Sequence, residues 1–233
     1  QATVRLIDCD SFQIMENGTV FGCEVGVEEF TPPELQGRTL SGVRRTTNHD
    51  NFGLAVLIFQ LLFMGRHPFV GRYRRGDAPS LGDAIRQHRF VYGAKAASLG
   101  ISPPPHSLSL QHVTRTIGEL LERAFSPNGA RPLAKDWRLA LSDLETHLRN
   151  CSTYAGHSYC DHIPACPWCD LEAGGGPAFF VAVLAAEWAS IPKPSDADVE
   201  RLWAEIDAIP TGSSPFPSSN PTQRTVSAKP LPE

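Results

Sequence analysis

Apolar side chains fill nearly every position from Phe52 to Met64, whereas elsewhere in the chain they recur at intervals of three and four or not at all. A helix without a polar stripe is expected to be surrounded by protein. Asp50 suits an N-cap, Gly65 the position just past the end, and Pro68 a stop, so both ends of this helix are marked. The run is well short of the roughly twenty residues that a bilayer requires. It is therefore predicted to be the axis of a helical domain. Leu81, Ala84, Ile85 and His88 fall at helical spacing in residues 80–89; Val113, Ile117, Leu120, Leu121 and Ala124 mark an amphipathic helix, and Trp137, Leu141, Leu144 and Leu148 another. The alternating, β-branched stretch Thr3-Val4-Arg5-Leu6-Ile7 predicts a strand that ends in the acidic turn Asp8-Cys9-Asp10. Residues 11–48 show little periodicity and many turn formers, and a segment of that length without regular structure is usually functional. Residues 100–108, with consecutive prolines, read as loop. Residues 178–184 read as a strand or buried segment. Ser195 and Asp198 form a capping box for a last helix carrying Val199, Leu202, Trp203 and Ile206 on one face. From Thr211 onward, Ser, Pro and polar residues predict a disordered tail.

With 233 residues, 41% hydrophobic and 20% charged, the chain can bury a real core, and one soluble globular domain with an appendage is expected. A formal charge of −4 and a pI near 6.1 give no general reason to bind nucleic acid or an anionic membrane. Arg72, Arg74 and Arg75 form a local basic cluster of the kind that is usually solvated surface. The N-terminus carries neither an initiator Met nor a secretion signal, so a cytoplasmic location is expected, and the chain begins as though in mid-domain.

Cysteine usage changes the picture. Cys9 and Cys23 stand apart, while Cys151, Cys160, Cys166 and Cys169 crowd together with His157 and His162. Without a secretion signal this clustering favours metal over disulfides. Cys151-x₅-His157-x₈-Cys166-x₂-Cys169 supplies four soft or borderline ligands in a short Gly/Pro-bounded stretch, the composition of a closed tetrahedral zinc site. Cys160 and His162 are alternates. Cys166-Pro167-Trp168-Cys169 also fits a thioredoxin-like redox pair, which needs a strand before it and a helix after it. Pro164 before it and Gly174-Gly175-Gly176 soon after it favour zinc, in a structural role.

In chain order the remaining motifs resemble the C-terminal lobe of a protein kinase. The predicted strand with Asp8-Cys9-Asp10 stands where kinases have Asp-Phe-Gly. Residues 26–34, Gly-Val-Glu-Glu-Phe-Thr-Pro-Pro-Glu, overlay the end of an activation segment; Asp50-Asn51-Phe52-Gly53 matches the start of the central kinase helix, and Gly65-Arg66-His67-Pro68-Phe69 the segment just after it; Arg131-Pro132 matches the segment near the lobe's end. Leu6-Ile7-Asp8-Cys9-Asp10-Ser11-Phe12, the phrase at residues 30–37 and Cys166-Pro167-Trp168-Cys169 narrow this to a resemblance with the bacterial family that joins a divergent protein-kinase domain to a zinc-ribbon-like module and a helix-hairpin-helix DNA-binding region. The resemblance covers residues 1 to about 208 and carries no helix-hairpin-helix signature, so DNA binding is not transferred.

It implies a mainly α fold: a kinase-like C-lobe over residues 1–150, a zinc-binding module over 151–175, a short α/β extension over 176–210 and the tail over 211–233. It implies that Asp8, with Asp10 beside it, positions the Mg²⁺ of Mg-ATP, against the plainer reading of both as turn formers. Glu34 and Arg131 would form the ion pair that ties the activation segment to the last helices. Cys9 and Asp10 depart from Phe-Gly, and Val27 stands where Ser/Thr kinases place Thr. The ATP-cradling glycines, the paired Lys and Glu and the catalytic loop precede Asp-Phe-Gly in kinases, so no catalytic residue is expected here and the chain reads as a fragment inactive without an upstream N-lobe. The expected function is transfer of the ATP γ-phosphoryl group to protein hydroxyls by the complete protein, with a non-catalytic pseudokinase scaffold as the alternative.

Overall fold

The apolar run of residues 52–64 forms most of helix α1, Thr47–Leu62, whose Phe52, Ala55, Val56 and Phe59 lie in the main hydrophobic core. A computed structural model describes residues 12–127, 129–180, 201 and 204. The strand expected at 3–7, the turn with Asp8, Cys9 and Asp10, the capping box at Ser195 with its helix, and the tail from Thr211 lie outside the described residues, as does the part of 178–184 beyond Phe180. The chain divides into two compact units; the first is Gln1–Phe180 with Lys229–Glu233, and in the second, Val181–Ala228, the described residues Arg201 and Ala204 are helical.

The described fold is mixed and mostly helical. Five helices run in the order α1, α2 (Leu81–Arg86), α3 (Arg115–Phe125), α4 (Ala134–Thr146) and α5 (Pro167–Ala173). Three two-stranded antiparallel sheets accompany them: β1 (Ile14–Glu16) with β2 (Thr19–Phe21), β3 (Arg72–Tyr73) with β4 (Ile101–Ser102), and β5 (Leu148–Asn150) with β6 (Ser158–Cys160). No helix among the described residues is long and apolar enough to cross a membrane.

Several local expectations are corrected. The N-cap of α1 is Thr46, whose N–H donates to His49 Nδ1 at 3.2 Å; Asp50 sits inside the first turn, where its charge complements the positive end of the helix dipole. At the other end Met64, not Gly65, is the first residue past the cap, at φ 52°, and Gly65 N–H reaches back to the Gln60 carbonyl at 2.7 Å. Nor is α1 enclosed on every face. Phe52, Ala55, Val56 and Phe59 are fully buried, but Leu61 is 77% exposed and Leu57 is exposed one turn before it. The segment 11–48, expected to lack regular structure, opens with the β1–β2 hairpin. Asn17 and Gly18, at φ 49° and 82°, make the two-residue turn whose paired positive φ values suit the twist of the strands. Leu148 begins β5 instead of ending α4, because its backbone pairs with Cys160.

An aromatic cluster fills the centre. Phe125 from α3 meets Phe52 edge-on at 5.9 Å and Phe69 at 5.3 Å, and Phe59 stacks on Phe63 at 4.1 Å. Ile117, Leu120, Leu121 and Ala124 face this core from α3, and Trp137, Ala140 and Leu144 are buried along α4. Against α1 lies the segment 27–36, two single 3₁₀ turns (Glu28–Phe30 and Pro33–Leu35). Side chains hold it in place: the Gln36 amide donates to Glu28 O at 2.8 Å and Thr31 O at 2.7 Å, and His67 Nε2 lies 3.1 Å from Glu29 O. Buried against these carbonyls, His67 has its pKa lowered by desolvation.

Candidate metal centre

The β5–β6 hairpin and α5 bring four side chains to one point. Cys151 follows β5 directly, and its N–H donates to His157 O at 2.9 Å, which closes the loop between them. Cys166 caps α5, with Pro167 at the first helical position, and Cys169 lies one turn in. The Trp168 indole N–H donates to Ser158 O at 2.8 Å and pins α5 to β6. The ligand atoms of Cys151, His157, Cys166 and Cys169 all lie within 4.8 Å of one another. Cys151 Sγ is 3.6 Å from Cys169 Sγ, while His157 Nδ1 is 3.6 Å from Cys166 Sγ and 3.5 Å from Cys169 Sγ. A tetrahedron built with zinc–sulfur bonds of about 2.3 Å and zinc–nitrogen bonds of about 2.0–2.1 Å has S···S edges of about 3.8 Å and S···N edges of about 3.5 Å. The donor set and its spacing fit zinc.

The thiols are unequal. Backbone N–H groups of Tyr154 and Thr153 aimed at Cys151 hold its pKa down at about 6, whereas burial, then the hydrogen bonds and charges of Cys151 and Cys166, push Cys169 up to about 12. Thiolates this close repel one another, and zinc bound by all four donors would supply the charge that offsets the repulsion.

Of the alternates, Cys160 is 1% exposed in the adjoining apolar core, and burial raises its pKa. His162 Nε2 contacts Gln111 O at 3.0 Å. Neither joins the cluster. A helix does come after Cys166-Pro167-Trp168-Cys169 begins, contrary to what the glycines at 174–176 suggest, but a turn at 161–165 separates the motif from β6, and Cys151 and His157 complete a four-donor set. The boundary expected at 150/151 falls within the β5–β6 hairpin, and Cys151, Cys166 and Trp168 belong to the same buried cluster as Phe52.

Glu172 was not singled out by any motif. From the last turn of α5 its Oε1 lies 3.3 Å from His157 Nε2, within charge-contact range though out of line for a hydrogen bond. His157 is fully buried, and among the described residues no other group serves that nitrogen. A carboxylate behind a ligating imidazole favours the tautomer with Nδ1 free to bind. Glu172→Gln is expected to lower zinc affinity by about tenfold or more without unfolding the chain; competition with a chromophoric chelator checks this, and unchanged affinity refutes it.

Away from the Cys/His cluster, Glu34 and Arg131 lie side by side. Arg131 donates to both Glu34 oxygens, Nη1 to Oε1 and Nη2 to Oε2, each at 2.8 Å. Nη1 also donates to Asn48 O at 2.8 Å, the Arg131 N–H donates to Asn48 Oδ1 at 3.0 Å, and the guanidinium lies 5.3 Å from the Phe52 ring centre. Arg131 is 8% exposed and Glu34 41%. Partial burial alone would raise the Glu34 pKa, but the Arg131 hydrogen bonds and charge outweigh it and hold the pKa below its ordinary 4.5.

Two curated proteins named Protein kinase YegI are similar to this chain. One from Escherichia coli O157:H7 is 42% identical over 210 residues, which is 88% of this chain and 32% of that protein. One from Escherichia coli strain K12 is 45% identical over 177 residues, 74% of this chain and 27% of that protein. The likeness supports a bacterial protein-kinase-like family. The chain spans about a third or less of the length of these kinase-named relatives. No family model and no solved structure matches it.

Proposed function

We propose that the chain is part of a protein-kinase-like protein that, when complete, transfers the γ-phosphoryl group of ATP to protein hydroxyls, and that residues 1–150 belong to its C-terminal lobe. The observation that carries the reading is the Glu34–Arg131 pair. Two residues 97 positions apart, each marked by a separate motif, meet in a bidentate bond. They tie the segment 27–36 to the start of α1 and to the approach of α4. The relatives named as protein kinases support the same reading.

Phosphoryl transfer depends on holding ATP, metal and acceptor in line, and Mg²⁺ would neutralise charge on the phosphates. Asp8 is the residue that would hold that ion, on the strength of its motif; Asp10 is the neighbouring candidate. Zinc held by all four donors of the second centre would have no open coordination position, which suits a structural role.

The departures at Cys9, Asp10 and Val27 favour a second reading, a pseudokinase scaffold that binds partners without catalysis. The full-length protein distinguishes the two. On the enzyme reading it binds Mg·ATP, phosphorylates protein, and loses phosphotransfer on Asp8→Ala, while residues 1–233 alone bind ATP weakly or not at all. Full-length protein that phosphorylates nothing, itself included, and whose Mg·ATP binding ignores Asp8→Ala establishes the scaffold instead.

A further inference from the structure

The loop after α1 and the turn before β4 line an open surface cavity of about 350 Å³, in which Arg74 and Arg75 are exposed and Arg89 is half-buried. Its charged lining is Arg74, Arg75 and Arg89, and no carboxylate lines it. Rigid contacts fix the backbone that carries these residues. Arg74 N–H donates to Gly100 O at 2.9 Å beside the β3–β4 pair. Gly71 permits that pairing, since a Cβ there would lie 2.4 Å from the Ser102 carbonyl oxygen. Arg89 comes from beyond α2. Its Nε donates to Gln87 Oε1 at 2.7 Å, and its guanidinium lies 5.7 Å from the Tyr73 ring centre, so it is oriented without being neutralised.

None of the three arginines has a carboxylate within ion-pair distance among the described residues. In a chain of net charge −4, three such cations around one cavity run against the overall sign. They repel one another, and the arrangement gains from an anion that takes several guanidinium forks at once. Tyr73 also lines the cavity, and its hydroxyl is buried without a hydrogen-bond partner among the described residues.

We propose that this cavity binds a phosphomonoester dianion. Three planar forks offer more donors than one carboxylate can accept, and the doubly charged, three-oxygen terminus of a phosphomonoester matches them in charge and geometry. The ligand can be a small phosphorylated molecule or a phosphorylated Ser or Thr side chain. Only binding is required, so the proposal stands apart from the phosphotransfer proposed above.

The test is calorimetric titration of residues 1–233 at fixed ionic strength with inorganic phosphate, a phosphoserine peptide and the same peptide unphosphorylated. The proposal expects saturable one-to-one binding of phosphate or phosphopeptide. Affinity should fall at least tenfold in Arg74→Gln/Arg75→Gln and again in Arg89→Gln, with the thermal midpoint of the double variant unchanged. Equal affinity for phosphate and phosphopeptide assigns the site to small phosphorylated molecules; tighter binding of the phosphopeptide assigns it to a modified side chain. Absence of saturable binding, equal binding of the unphosphorylated peptide, or affinity indifferent to the substitutions overturns it. So does single-stranded DNA that displaces the phosphopeptide at equal strength, which would mark a phosphodiester site.

Discussion

Replacing Cys166 with serine is expected to strip zinc from the centre and destabilise the region from β5 through α5 by more than about 4 kcal/mol, the range associated with loss of a structural metal. The region has little else to hold it. Its hairpin has three residues per strand, α5 has seven, and the loops around them turn on Gly and Pro. Without the ion, Cys151 and Cys169 are held at opposite extremes of proton affinity, and His157 lies buried against Glu172 with its other nitrogen facing sulfur. Protein purified without chelator should carry about one zinc per chain, and C166S should carry far less, with hydrogen exchange accelerated over residues 148–173. Because binding displaces thiol protons, affinity should fall as the solution is acidified. Absence of zinc from the unsubstituted protein, or a stable Cys166–Cys169 disulfide, would refute the centre.

Glu34→Gln should cost about 3–5 kcal/mol, because it leaves a buried guanidinium without its counter-charge. Arg131→Met should cost less, about 1–3 kcal/mol, since the Glu34 carboxylate is partly exposed and can be rehydrated once its partner is gone. Denaturant midpoints of the two variants check the order; equal midpoints, or a midpoint unmoved by Glu34→Gln, refute it. The pH dependence has a definite sign. Glu34 has a lower pKa folded than unfolded, so its contribution is fully present above about 4.5 and is lost as the pH falls through the lower folded value. Acid unfolding of the unsubstituted chain should therefore be steeper in that window than that of Glu34→Gln.

The helices were legible in the chain because helix burial is written locally. The spacing of Ile117, Leu120, Leu121 and Ala124 already defines the face that α3 buries, and the apolar run of α1 marks its place. The hairpin at Asn17-Gly18 showed itself only in its turn residues, because three-residue strands carry too little alternation to stand out from the irregular segment around them. The crowding of Cys and His marked a candidate metal site for the same local reason as the helices: the four donors run from Cys151 to Cys169, a stretch short enough for composition alone to mark it.

What composition could not choose was decided by packing. Cys160 and Cys151 are chemically identical and both buried, yet the first is held on β6 opposite Leu148, away from the other donors, while the turn after β5 delivers the second to His157. Glu172 faces His157 only because α5 completes a turn before the glycines end it. Leu57 and Leu61 look as apolar as Phe59 in sequence, and only the placement of the neighbouring elements leaves them exposed. Arg89 joins Arg74 and Arg75 through the path of the chain beyond α2 and not through any motif. Which segments become helices and which donors are on offer to a metal depend on neighbours a few residues away, so the order of residues settles them. Which donors meet, which apolar faces are covered and which like charges converge depend on distances between remote segments, and those distances exist only once the chain has packed.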